Sequence, residues 1–477
     1  MRAVRDIHPP GVYSATDEMR GAPISIADTR IAGFVGLASK GPLDEPRRIA
    51  SWDEFVDIYG PPLPADTGYL ARSVEGFFLN GGPACYVVRV AHRVRDGELV
   101  GPDHASSAER IFTDGWDKPT LRVSALNEGR WGNAIWVRFQ PATGAKTLLT
   151  LDLDVGSGEA RVNATRGFER GALVRIFDRE NSDYVILTEV EDRTLRWAAA
   201  TPIVRRYRAA GPTYLEILEF EVYAWLKDRR EAFRGLQLSP LSRRYVNRVI
   251  NEESKLIRVE DLGSRSPPPH HVPQAAAAAK LTGGRDGSDA ITAEDFVGFD
   301  YGPTQRRGLL ALATVEPVSM LCVPDAMLFY QRQSGPQADL GVQRIQDAMV
   351  DICENQKDRF AILDLPPTKD IEAVRRWRRR INSSFAAFYF PWINMNGGSG
   401  PAKLPPSGII AGVYARVDTE HGSHKAPANE VITNAASLSL SLFDDDVGRL
   451  NSECVNTLRS IPGRGLRVWG ARTASDQ

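Results

Sequence analysis

A chain of 477 residues exceeds what one hydrophobic core usually holds, so about two to four domains are expected. With 42% hydrophobic and 25% charged residues and a net charge of -1, it has no charge excess that would mark a nucleic-acid or membrane-surface binder. Its four cysteines (Cys85, Cys322, Cys353, Cys454) stand far apart with no CxxC pair, which argues against a disulfide framework and for reduced, buried thiols.

Residues 1–28 carry Pro9, Pro10, Gly11, Gly21 and Pro23 around one short extended piece, Val12-Tyr13. This reads as an arm: a tail, or a strand that completes a neighbour's sheet through main-chain hydrogen bonds. The opening MRAVRDIHPPGVYSATDE lacks the apolar run of a secretory signal, and no window reaches the roughly 18 apolar residues of a membrane span. A cytoplasmic chain, or one released by lysis, is the expectation.

Residues 29–92 form a unit of strand, two helices and strand. IAGFVGLA is a short apolar strand. Ser51 with Glu54 signals a helix through Ile58 that Gly60-Pro61-Pro62 stops. Leu70, Val74, Phe77 and Phe78 recur at helical spacing until Asn80-Gly81-Gly82, and CYVVRV is the next strand. From 93 to 240 the texture is short alternating runs such as LRVSAL, AIWVRF and YVILTEV, which predict one or two β-rich domains. With α/β-type segments on both sides, these domains are read as an insertion. Residues 241–280 hold a return helix near Arg243–Ile250, then a Pro-rich linker and an alanine run that reads as a possible helix start.

In residues 281–477, a helix capped by Thr292 with Asp295 precedes three apolar strands, VSMLCV (318–323), RFAILDL (359–365) and FAAFYF (385–390). Helical segments separate them, one ending near Glu354 and one over Thr368–Ile381. That alternation predicts a parallel sheet covered by helices. A second apolar run, Ile409–Tyr414, follows the turn Pro405-Pro406-Ser407-Gly408.

Four features invite a chemical reading. Asp325 and Asp364 end successive strands, where open α/β sheets place ligands. An α/β enzyme could use them with His421 or His424, provided all converge in one pocket; helix-capping aspartates at strand-end turns are the simpler account. Asp418, His421 and His424 have ligand-like spacing, but Gly422 and Pro427 favour a loop, and a fourth ligand is missing. Gly283–Gly287 (GGRDG) lacks both the GK[ST] of a phosphate loop and the GxGxxG of a dinucleotide turn. Arg375–Arg380 is the strongest basic cluster, yet on a helix it would cover most of the circumference, which favours a solvated or protein-facing surface over a phosphate site. No catalytic, cofactor or metal residue is therefore assigned.

Taken together, several patches resemble the contractile tail sheath proteins of bacteriophages and phage-tail-like injection particles. They are Pro10-Gly11-Val12-Tyr13 through FVGLASKGPLDEPRRIASWDEFVDIYG to FFLNGGPACYVVRV, then ALNEGRWGN (125–133), then LTGGRDG, RFAILDLP, PPSGIIAGVYARVD, HKAPAN and VWGART. The resemblance implies an α/β (α+β) core assembled from N- and C-terminal parts, with inserted β-rich outer domains. It implies a structural subunit without cofactor that stacks with copies of itself in hexameric rings around an inner tail tube. Baseplate and terminator proteins would be further partners, with no nucleic acid, and no membrane in the resting state. Pro10, Gly11, Val12 and Tyr13 become inter-subunit arm candidates. A sheath-related terminator or baseplate protein is the alternative. Relatives continue past the WGART segment, so either a truncated chain or an unusually short sheath-like subunit is implied, and this polypeptide by itself is expected to stay monomeric or form only small oligomers.

Overall fold

The computed structural model describes residues 28–64, 67–94, 101–198, 203–275, 277–302, 305–332, 336–397 and 400–476. The arm candidates Pro10, Gly11, Val12 and Tyr13 lie outside them.

The short apolar runs become strands of one eight-stranded sheet, numbered here in chain order: β1 (Ala32–Gly36), β2 (Arg47–Ile49), β3 (Cys85–Arg89), β4 (Met320–Cys322), β5 (Phe360–Asp364), β6 (Ala386–Phe390), β7 (Val455–Ile461) and β8 (Gly465–Trp469). The spatial order is β2-β3-β1-β4-β5-β6-β7-β8. The six strands from β3 to β7 run parallel, and an antiparallel strand closes each end. Strands β1 and β6 are buried at all five positions, as a sheet covered on both faces requires. Residues 32–89 and 320–469 thus share one core, and β1 beside β4 joins the two halves.

The two edges are protected differently. Strand β2 is three residues long and presents Arg47 and Arg48 to solvent. The outer side of β8 is covered by residues 429–432: Ile432 donates to the Leu466 carbonyl at 2.8 Å, Asn429 to that of Val468 at 2.7 Å, and Val468 to that of Glu430 at 2.9 Å.

The helices used below are α1 (Trp52–Tyr59), α2 (Leu70–Leu79), α3 (Pro336–Gln356), α4 (Ile371–Arg378), α5 (Ser407–His421) and α6 (Asp444–Ser452). The Ser51 hydroxyl caps α1 at the Glu54 N–H, while Glu54 reaches back to the N–H of Ala50. The Thr292/Asp295 capping box is present as expected. Helix α5 contains the apolar run Ile409–Tyr414 and is apolar nearly all round because it is buried between α2 and the sheet. Glycines let it approach α2: a Cβ on Gly408 would lie 2.7 Å from the Ser73 carbonyl oxygen, and one on Gly412 would lie 2.4 Å from that of Phe77.

Between β3 and β4 the chain builds two further sheets. Glu109–Thr113, Pro119–Ala125 and Ile257–Asp261 form a three-stranded antiparallel sheet. A larger antiparallel sheet is organised on two thirteen-residue strands, Trp136–Leu148 and Tyr214–Leu226, and the region holds two apolar clusters of its own. The return helix spans Val246–Glu253. The alanine run does not start a helix at its described end: Ala279–Lys280 pair antiparallel with Val137 and Trp136, because sheet pairing outcompetes helix propensity in so short a stretch.

Candidate functional site

At the carboxyl ends of β4 and β5, each aspartate is committed to a helix N-terminus. Asp325 is fully buried at the start of a short turn of helix, Pro324–Leu328. Its Oδ2 accepts the Leu37 N–H at 2.6 Å, and its Oδ1 accepts those of Tyr69 and, at 3.2 Å, Leu70. The carboxylate therefore ties the exit of β1 to the first turn of α2, where unsatisfied N–H groups favour an anion. Burial pushes its pKa up to about 6 against the pull of those three N–H groups. Asp364 does the same for α5, accepting the Ser407 N–H at 2.8 Å and the Ser407 hydroxyl at 2.6 Å. Burial raises it to about 7, with the two Ser407 bonds opposing. Both residues are helix caps, as the simpler account had it, but they cap helices remote in sequence rather than the ones that follow.

The main chain of Asp364 is held as well. Gln346 on α3 donates Nε2 to its carbonyl at 2.6 Å and accepts the Trp377 indole N–H from α4 at 3.0 Å. Four elements, β5, α3, α4 and α5, meet at this residue.

The loop expected at Asp418–His424 is helical up to His421, with Gly422 as the cap; burial of α5 along its length outweighs the local turn signals. Asp418 accepts a hydrogen bond from Thr29, and His424 lies in the turn beyond. Among the described residues no group of three His, Cys, Asp or Glu is placed to hold a metal ion. His421 ends the fifteen-residue helix that begins at Ser407, so it stands roughly 20 Å along the axis from the residue Asp364 grips. The convergence required by the enzyme reading is not met by His421 and Asp364.

The arginine run is paired internally. Arg375 bridges Glu372 and Glu453, Arg379 also meets Glu453, and Arg376 meets Asp370. Arg380 lies over the Trp377 ring at 5.0 Å. Arg378, 2% exposed, donates to the Ile381 carbonyl and lies 2.7 Å from Asp476. Arg375 and Arg378 face the protein while Arg376 and Arg379 stay largely in solvent, so the run has both a protein-facing and a solvated side.

One tie was missed by sequence reasoning. Arg89, the last residue of β3, is 1% exposed and donates Nε to the Ala38 carbonyl (3.0 Å) and Nη1 to those of Gly41 (2.7 Å) and Glu128 (3.0 Å). Burial pushes its pKa down to about 10. It binds a loop of the central sheet to the ALNEGRWGN segment. That segment is locked in turn to the GGRDG turn: Asn133 Nδ2 donates to the Gly284 carbonyl at 2.9 Å, and the Gly284 N–H returns to Asn133 Oδ1 at 2.8 Å. The available signal was a charge ending an otherwise apolar strand.

These side chains hold elements together: the geometry is that of an α/β protein whose polar interior serves as framework. Residues 310–474 match the family described as the phage tail sheath protein central domain. The chain is similar to the tail sheath protein of Escherichia phage P2, 26% identical over 147 residues that cover 29% of this chain and 36% of that protein. It is similar too to the tail sheath protein of Burkholderia phage BcepMu, 26% identical over 216 residues, covering 43% and 44%. The matched stretches span less than half the length of these relatives. The sheath tail protein of Listeria innocua shares the fold, with a TM-score of 0.51 and 11% identity over 93% of this chain and 69% of that one. The chain thus resembles the contractile tail sheath proteins, and the match to the family's central domain falls on residues 310–474.

Proposed function

We propose that this chain is a structural subunit of a contractile tail sheath, which polymerises around an inner tube and contracts to drive that tube through a target cell envelope. The observation that carries this reading is the sheath central domain at 310–474, which supplies β4 to β8 of a sheet completed by residues 32–89. On this reading the core is assembled from both ends of the chain, and residues 93–240 are an insertion that faces outward. The arm candidates Pro10, Gly11, Val12 and Tyr13 add a strand to a neighbouring copy. Copies stack as hexameric rings, with the inner tube, baseplate and terminator as partners and the producer cytoplasm as the place of assembly. No helix among the described residues is long and apolar enough to cross a membrane.

Contraction needs two packings of the same subunits with little change inside each one. The buried caps at Asp325 and Asp364 and the arginine tie at Arg89 suit a body that moves as a unit. Energy is stored at assembly, so no catalytic group or cofactor is called for.

The test is to produce the particle with an epitope inserted at the exposed turn Arg179–Glu180 and to label it for electron microscopy. Label repeating along the sheath is expected; sheathed particles that carry none along their length would overturn the reading.

A further inference from the structure

At the β2 border of the central sheet, the loop 40–47, helix α1 and the inserted region enclose a cleft of about 600 Å³ with an apolar wall of Pro42, Leu43, Ile58, Leu126 and Trp131. Arg47, Arg93 and Arg229 also line it and are matched by Glu45, Asp44 and Asp57, while Glu54 holds the Ala50 N–H. Lys40, Lys255 and Arg258 complete the basic lining and form no ion pair among the described residues; Lys40 donates to the Asp57 carbonyl at 2.6 Å. Against these three cations the lining has one carboxylate left, Glu128. Burial lowers the Lys40 pKa, with Asp57 opposing and Arg229 adding to the effect. The cleft thus joins an apolar wall to a positive charge that the described residues do not answer.

The far side of the sheet carries the complement. Phe443 is 80% exposed, the most of any large apolar side chain among the described residues, and Asp444, Asp445 and Asp446 follow it in the first turn of α6. Asp444 pairs with Arg459 of β7, whereas Asp445 and Asp446 form no ion pair among the described residues. A bare phenyl ring beside two unanswered carboxylates is a knob of the chemistry the cleft lacks. Arg47 on β2 and Arg459 on β7 stand six strand spacings apart, roughly 29 Å, so knob and cleft do not meet within one chain.

We propose that the cleft of one copy receives Phe443 of a second copy, with Asp445 and Asp446 set against Lys40, Lys255 and Arg258. The two surfaces differ, so the contact is heterologous: each pair of copies keeps one free knob and one free cleft, and the pairing propagates. Opposite charges select the partner, and the ring on the apolar wall supplies the buried area. The contact rests on the sheath-subunit reading for its place in a repeating array, and names the side chains through which neighbours would meet.

The experiment follows self-association of the full chain at low ionic strength by sedimentation. The native chain should associate with concentration and come apart in salt. Reversing the knob (Asp445→Lys with Asp446→Lys) or the cleft (Lys255→Glu with Arg258→Glu) should weaken association about tenfold or more. Mixing the two reversed chains should restore it, because the reversed knob then meets the reversed cleft. A native chain that stays monomeric, reversals without effect, or no recovery on mixing would each overturn the contact. Phe443→Ser, at an exposed position, should weaken association to a similar degree, and it decides the matter if a reversed chain misfolds. Sheaths labelled along their length together with a monomeric chain would remove the contact and leave the functional reading; recovery on mixing together with unlabelled sheaths would remove the reading and leave the contact.

Discussion

The carboxylate of Asp364 grips Ser407 twice, through its main-chain N–H and through its hydroxyl, and so fixes the start of α5 against the end of β5. An asparagine can keep both contacts, since its oxygen accepts the N–H and its amide group donates to the hydroxyl. Asp364→Asn should therefore cost less than about 1 kcal/mol, whereas Asp364→Ala should cost about 2–3 kcal/mol. Urea denaturation measures both; equal losses would sink this account.

Asp325 differs because both of its oxygens accept main-chain N–H groups. Either orientation of an asparagine there turns an NH2 towards another donor. Asp325→Asn should lose about 2 kcal/mol or more, clearly above Asp364→Asn. A ranking in the opposite order would show that the caps are not held as described.

The two raised carboxyls give a pH dependence with a definite sign. In the unfolded chain they titrate near 3.8; in the native protein burial moves them to about 6 and about 7. The native state therefore binds more protons over that interval, and stability falls as pH rises through it, with their favourable contribution full below about 4 and gone above about 8. Carboxylates whose pKa is lowered, such as Asp28 and Asp358, titrate below this window and leave the trend alone. His271, whose pKa burial lowers, acts in the opposite sense in the lower part of this range, so the caps are read from the difference: between about pH 6 and pH 8 the melting temperature of Asp364→Asn should fall less steeply than that of the native chain. A profile unchanged by that substitution would contradict the assignment.

Gly412→Ala adds a single methyl group where α5 crosses the α2 backbone. With a carbonyl oxygen 2.4 Å from the new Cβ, one helix has to move, and a loss of about 2 kcal/mol or more is expected despite the better helix propensity of alanine. Gly448, on the surface of α6 with nothing within 4 Å of a Cβ, is the control: its alanine variant should be neutral or stabilising. Thermal melts of the two variants make the comparison.

Arg89→Met should remove all three carbonyl contacts from a buried site and cost about 3 kcal/mol or more. Arg89→Lys should recover only part, because an ammonium cannot reproduce the forked geometry. Hydrogen exchange should rise at Gly41, whose N–H is held by Asn127. An increase spread evenly over the protein would argue against a local tie.

The alternation of strand and helix was readable because β1, β3, β5 and β6 are short apolar runs with turn signals at their ends, and α2 has a clear helical period. Other features depend on contacts that no local pattern carries. Asp325 bonds to residues 255 to 288 positions away, so its aspartate signalled a cap without revealing which helix. Helix α5 has apolar residues on every side, which hides the period that would have marked its full length. The pairing of Ala279–Lys280 with Trp136 and Val137 follows from a distant strand, against the helix propensity of the alanines. Arg89 could have been noticed, but its carbonyl partners could not.

The two edges of the central sheet bear on crowding. Subunits packed side by side in a repeating array meet at concentrations where an open strand would recruit the next chain and join sheets without limit. Here one border is a short, charged strand and the other is already covered by residues 429–432 of the same molecule. On the proposed reading, these borders disfavour indiscriminate sheet pairing between copies, so that any strand added from a neighbour would be a specific one.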